Sequence, residues 1–128
     1  MSNDGDQGPI DAVLDALGDQ RRRYALYFLR DRDAVAVETL ATALTGWLAV
    51  RDGATTAWPQ DRDRVLASLH HQDLPKLDAA GLVAYDREAG TVTFEESALA
   101  RDLLDLLLAY ERRAEPLEAG ADAADPEV

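Results

Sequence analysis

His70 and His71, with Asp73 two residues further on, offer nitrogen and oxygen donors of the kinds that hold zinc. Their spacing argues against a metal site. Neighbouring residues on a helix diverge by about 100° and do not share one coordination sphere, and the chain has only 2 histidines to offer. No metal is expected. Cysteine is absent, which removes disulfides, thiolate nucleophiles and sulfur-ligated metal sites together. The sequence contains no glycine-rich phosphate loop, no HExxH and no serine nucleophile elbow. Its many carboxylates have no identifiable partner environment, so neither an enzyme nor a cofactor is expected.

A different chemistry lies in the same stretch. When "DRDRVLASLHHQDLPKLDAAG" is phased as a helix on Leu66, Leu69, Leu77 and Ala80, the residues Arg64, Ser68, His71 and Gln72 point outward. Arginine pairs bidentately with guanine, glutamine with adenine, and serine or histidine reaches bases or phosphates. Lys76 and Arg87 would then meet phosphates. The plainer reading has equal standing: these side chains are the solvated face of an amphipathic helix. His70 falls near the apolar edge and reads as a partly buried packing residue.

The elements that must position these residues are legible along the chain. "PIDAVLDALG" places Ile10, Val13, Leu14 and Leu17 on one helical stripe, between Pro9 and Gly18. Asp19 can N-cap the next helix, "QRRRYALYFLRD", whose buried face is Tyr24, Ala25, Tyr27, Phe28 and Leu29. The arginines Arg21, Arg22 and Arg23 in its first turn oppose the helix dipole. Compensation must come from Asp15, from Asp19 or from a partner, with ion pairing inside the chain favoured over phosphate. "DAVAVETLATALTGWLAV" begins as a short strand at Val35 and Val37, then becomes a helix through Leu40, Ala41, Leu44, Trp47 and Leu48. Arg51 to Asp61 reads as a loop that Trp58 pins to the core.

Gly81 closes the histidine-containing helix. "LVAYD" and "TVTFE" then form a hairpin around "REAG", with Gly90 available for positive φ. Within that helix Pro75 removes one backbone donor and predicts a kink. The apolar phase slips at the same place: the core position after Leu69 would be Asp73, but the leucine arrives one residue late, at Leu74.

A last helix, 97–115, is capped by Ser97. Leu99, Leu103, Leu106, Leu107 and Tyr110 share one stripe, and Leu104 and Leu108 lie outside it. One contact does not need that much apolar surface, so all seven are candidate dimer-interface residues. The plainer account leaves Leu104 and Leu108 exposed or packed on a loop. The domain spans 9–115, and 1–8 and 116–128 are expected to be disordered tails.

The net charge of -12, with a pI near 4.4, sits badly with a nucleic-acid partner. Among 13 basic residues only Lys76 is a lysine, and aspartate outnumbers glutamate. This composition resembles that of an extreme halophile's proteins. In molar salt the Debye length shrinks to about 3 Å, so a diffuse acidic surface scarcely repels DNA. No stretch approaches the ~20 apolar residues of a membrane span, and "MSNDGDQG" does not read as a signal peptide. A soluble cytoplasmic protein is expected.

This order of elements matches a mainly α (α+β) winged helix-turn-helix with a two-stranded wing and an added C-terminal helix. "LPKLDAAGLVAYD" resembles the junction of recognition helix and wing in the ArsR-like winged-helix superfamily. Together with "LDALGDQRRRYALYFLRD", the Trp-containing loop and "LHHQDLPKLDAAGLVAYD", it resembles an uncharacterised winged helix-turn-helix family abundant in haloarchaea, over about Ile10 to Phe94. The resemblance implies a DNA-binding transcriptional regulator, often dimeric. Two features depart from the usual pattern. The turn from Ala49 to Gln60 is long for a helix-turn-helix. From Asp61 to Glu96 the chain also has four basic residues against eight acidic.

Two function classes therefore stand. The first is a homodimeric regulator that reads double-stranded DNA. The alternative is a winged-helix interaction or scaffold module that no longer binds DNA. A small-molecule sensor would need a pocket near Trp47, Trp58 or the last helix, and the sequence shows none.

Overall fold

The computed structural model describes residues 3–51, 53 and 59–119, of which 3–9 and 114–119 are described by their backbone alone. The chain divides into two compact units, 1–96 and 97–128.

In the first unit, helix α1 (Asn3–Leu17) is followed by α2 (Gln20–Leu29). Asp19 separates them in an extended conformation, and its carboxylate accepts hydrogen bonds from the backbone N–H groups of Arg21 and Arg22. This is the expected N-cap, which satisfies donors that the first helical turn leaves open. The apolar stripe of α1 is narrower than its sequence suggests: Val13, Ala16 and Leu17 are buried, while Ile10 and Leu14 are more than half exposed. Helix α2 buries Tyr24, Ala25, Leu26, Phe28 and Leu29.

Strand β1 (Val35–Ala36) leads directly into α3 (Val37–Arg51), as the change of hydrophobic period predicts. Leu40, Ala41 and Leu44 are fully buried. Trp47 stands at the edge of this core, with its ring edge-on to Tyr24 and Phe28 at centroid distances of 6.1 and 5.7 Å. The sequence suggests a loop from Arg51 to Asp61, but α3 continues to Arg51 and α4 (Pro59–Ser68) begins at Pro59, where a proline suits a first helical position. Trp58 lies outside the described residues.

Helix α4 runs without interruption through a five-residue π-turn, Leu69–Asp73, into α5 (Leu74–Ala79). Gly81, with φ of +77°, ends it. The Leu82 N–H returns to the Leu77 carbonyl at 3.0 Å and the Gly81 N–H to that of Asp78 at 2.9 Å, a glycine-dependent closure. Strands β2 (Val83–Asp86) and β3 (Thr91–Phe94) form the hairpin, pairing Val83 with Phe94 and Asp86 with Thr91. The wing is larger than the expected two strands. Val35 and Ala36 pair with Val92 and Thr91, giving an antiparallel sheet in the order β1-β3-β2. The fold is mainly helical α+β and winged-helix-like, with α3 and the α4–α5 helix followed by the wing.

The second unit is α6 (Ala98–Ala119). Its N-terminus is capped as expected, with the Ser97 hydroxyl accepting from the Ala100 N–H at 3.1 Å. Burial along it differs from the sequence-based wheel. Ala100 and Leu104 are 2% and 1% exposed, whereas Leu99, Leu106 and Tyr110 are each more than half exposed. Leu103, Leu107 and Leu108 are half-buried. Leu104, expected outside the stripe of Leu99, Leu103, Leu106, Leu107 and Tyr110, is buried. One boundary at each end also moves. Helix α1 begins ahead of Pro9, and α6 passes Pro116 to reach Ala119.

Candidate functional site

The α4–α5 helix carries most of the residues singled out by the sequence, and its π-turn governs where they point. The Leu74 N–H donates to the carbonyl of Leu69, five residues back instead of four. Leu69, Asp73 and Leu74 are all fully buried. The late leucine and Pro75 thus produce not a plain proline kink but a wider turn that takes in one extra residue. Pro75 has no N–H to give to the preceding turn. The carbonyl of His70 accepts instead from the Arg87 guanidinium at 3.4 Å.

Asp73 lies within this turn, and its carboxylate is held from α2. Arg21 Nε donates to Oδ2 at 2.6 Å and Arg21 Nη2 to Oδ1 at 3.3 Å, while Arg22 Nη1 approaches Oδ1 at 3.4 Å. The Ser68 hydroxyl adds a bond to Oδ2 at 3.1 Å. The hydrogen bond from Arg21 to Asp73 raises the arginine's pKa above its ordinary value, against the opposing effect of burial. The arginine run also closes α1: Arg22 Nε donates to the Ala16 carbonyl at 2.7 Å and Arg23 Nη1 to that of Leu17 at 2.8 Å. The cations that oppose the dipole of α2 therefore serve the carbonyl end of α1. The compensation anticipated from Asp15 or Asp19 comes chiefly from Asp73.

Of the residues expected to face outward, Arg64, His71 and Gln72 do so and are exposed. Arg64 makes a surface pair with Asp61 at 3.2 Å. Ser68 does not fit the expectation: it is half-buried and bonded to Asp73. Lys76, expected on phosphate, is exposed but ion-paired with Asp15 of α1. That pair holds the Asp15 carboxyl below its ordinary pKa. Arg87 is exposed on the wing and turned back towards the helix, with its guanidinium 5.7 Å from the Tyr85 ring centroid.

His70 is half-buried, as its place at the apolar edge implies, and its Nδ1 shares a 2.6 Å hydrogen bond with the Tyr85 hydroxyl. With Arg87 on the His70 carbonyl, this fixes helix to wing. Two contributors escaped the sequence reading. Arg62 donates to the Thr42 hydroxyl at 2.8 Å and to the Glu38 carbonyl at 3.3 Å, tying α4 to α3. Asp73 had a signal, its core phase four residues after Leu69, but the phase alone did not point to arginines 52 and 51 residues away.

The outer face of the wing forms an open, shallow groove of about 790 Å³. Asp78, Asp86, Glu88 and Glu95 line it beside Thr91 and Thr93. Among the described residues no group of three or more His, Cys, Asp or Glu could hold a metal ion. No helix among them is long and apolar enough to cross a membrane.

The class these elements define is a winged-helix-like domain. Residues 14–93 match a family described as a domain of unknown function, DUF7344, and the chain belongs to that family. None of the curated proteins and none of the solved structures compared with it matches.

Proposed function

We propose that this protein is a cytoplasmic DNA-binding transcriptional regulator. It acts as a homodimer at high salt, and α4 with the π-turn is its recognition helix. The observation that carries this reading is the run of Arg64, His71 and Gln72, three exposed polar side chains on one continuous helix beside a wing. Gln72 and Arg64 have the donor and acceptor patterns that discriminate adenine and guanine in the major groove. The Arg64–Asp61 pair is exposed and therefore weak, so a base edge can displace it. Arg87 at the wing supplies a phosphate contact. Ser68 is set aside as a DNA contact, because the buried Asp73 engages it; the surface pair of Lys76 with Asp15 is, like that of Arg64, one that a phosphate can displace.

Two copies would pair through the exposed apolar residues of α6, chiefly Leu99, Leu106 and Tyr110, with Leu103, Leu107 and Leu108 at the margin. Such a dimer reads two half-sites about one helical turn apart.

One observation favours the second reading, an interaction module that does not bind DNA. The groove on the wing has four carboxylates on its lining and would suit a basic protein segment better than a phosphate backbone. Fluorescence anisotropy separates the two. Labelled genomic fragments are titrated in molar KCl with the wild type and with the Arg64→Ala, Gln72→Ala variant. Sequence-preferring binding that the variant loses supports the regulator; no DNA binding at any salt favours the module.

A further inference from the structure

A π-turn takes more residues per circuit than the 3.6 of an α-helix. In this helix the difference is one residue. Leu69 and Leu74 are both fully buried although five positions separate them. In a regular helix residues four apart share a face, and five apart do not. With one residue fewer, Leu69 and Leu74 would stand four apart and the leucine pattern on both sides would be regular. The fully buried residue between them is Asp73.

Its presence changes what the turn exposes. In a regular helix a residue three beyond Leu69 lies beside it, on the flank of the buried stripe. Gln72 occupies that position in sequence and is exposed next to His71; the wider circuit turns it further from Leu69 than regular helical phase does.

We infer that Asp73 is a one-residue insertion whose role is positioning. Held in the core by Arg21, Arg22 and Ser68, it keeps the π-turn open and turns Gln72 outward beside His71. Under the DNA-reading function proposed above, on which this last step rests, the insertion determines which base pairs the helix can address. A carboxylate is tolerated at a buried insertion only because two cations meet it. The charge cluster and the π-turn are therefore one device. Arginines without the insertion, or the insertion without arginines, leave unpaired charge.

The test uses the full chain. Arg21→Gln with Arg22→Gln strands the carboxylate and lowers the melting temperature. Deleting Asp73 in that background is expected to raise it again, because the lone charge goes and the leucines keep their phase. Deleting Asp73 from the otherwise wild-type chain lowers it, because the arginines lose their partner. The direction of residue 72 is read separately. The chain has no cysteine, so Gln72→Cys introduces a single thiol whose labelling rate follows its exposure. That rate is expected to fall roughly tenfold when Asp73 is deleted from the Arg21→Gln, Arg22→Gln background. No rescue of melting, or an unchanged labelling rate in the folded deletion variant, overturns the inference. Neither readout involves DNA. Failure of the wild type to bind DNA would sink the regulator, while melting and labelling would still decide the positioning role.

Discussion

Asp73 Oδ2 lies 2.6 Å from Nε of Arg21, 52 residues earlier in the chain, and the aspartate side chain is completely buried. This contact joins the start of α2 to the middle of the helix that carries the exposed polar face. Through Arg22 it also reaches the carbonyl end of α1. Three helices thus meet at one carboxylate. Removing it leaves Arg22, whose side chain is 13% exposed, without its anion. Asp73→Ala is expected to cost about 3 kcal/mol, at the lower end for a broken buried pair because both arginines keep some contact with water. Arg21→Gln, at the more exposed partner, is expected to cost about half of that. Urea unfolding measures both; equal and negligible losses would mean that the cluster adds nothing to stability.

The pair between Lys76 and Asp15 predicts a pH dependence of definite sign. The hydrogen bond and charge of Lys76 hold the Asp15 carboxyl below its ordinary value, with a smaller contribution from Arg22. An aspartate titrates near pH 4 in an unfolded chain, at about 3.9. The folded value is lower, so the pair stabilises above that pH, and its contribution fades as pH falls through the folded value. Lys76→Gln should melt slightly below the wild type at pH 6, and the two curves should converge as pH falls through the depressed folded value of Asp15. A gap that persists in acid would assign the effect of Lys76 to something other than this ion pair.

These two contacts mark how far the sequence could be read. Local chemistry was legible. Asp19 as a cap, the short strand before α3, Gly81 and Gly90 at positive φ, and Ser97 at the head of α6 all follow from residue types acting on their own backbone. The late leucine likewise marked the turn around Pro75, and His70 was placed at the edge of the core. Partnership at long range was not legible. Ser68 and Lys76 read as outward polar groups because helical phase gives direction, not what waits there. Their partners, Asp73 and Asp15, come from geometry that no local pattern encodes. The form of the helical irregularity was also hidden, since proline signals a break but not whether the helix kinks or widens. On α6 the leucines outnumber what one contact can bury, so their wheel could not say which leucine is inside.

That ambiguity gives a paired prediction. Leu104 is 1% exposed and Leu106 is 55% exposed. Leu104→Ala should destabilise the fold by about 2 to 4 kcal/mol, as for a buried leucine replaced by a smaller residue. Leu106→Ser should leave the melting of the monomer unchanged and weaken self-association. Sedimentation at micromolar concentrations of the wild type and both variants distinguishes these effects. A wild type that sediments as a monomer would contradict pairing through α6.

The exposed run of Arg64, His71 and Gln72 is the part of the molecule proposed to read DNA. The most direct measurement is the ratio of specific to non-specific affinity in molar KCl, where diffuse charge is screened and base contacts dominate. For the wild type a preference of about a thousandfold or more for its own site over random sequence is expected. Arg64→Ala with Gln72→Ala removes two base contacts, each contributing about 1 to 3 kcal/mol, and should reduce that preference by roughly thirtyfold or more. A wild-type protein that binds every sequence equally, or none, would contradict the proposal.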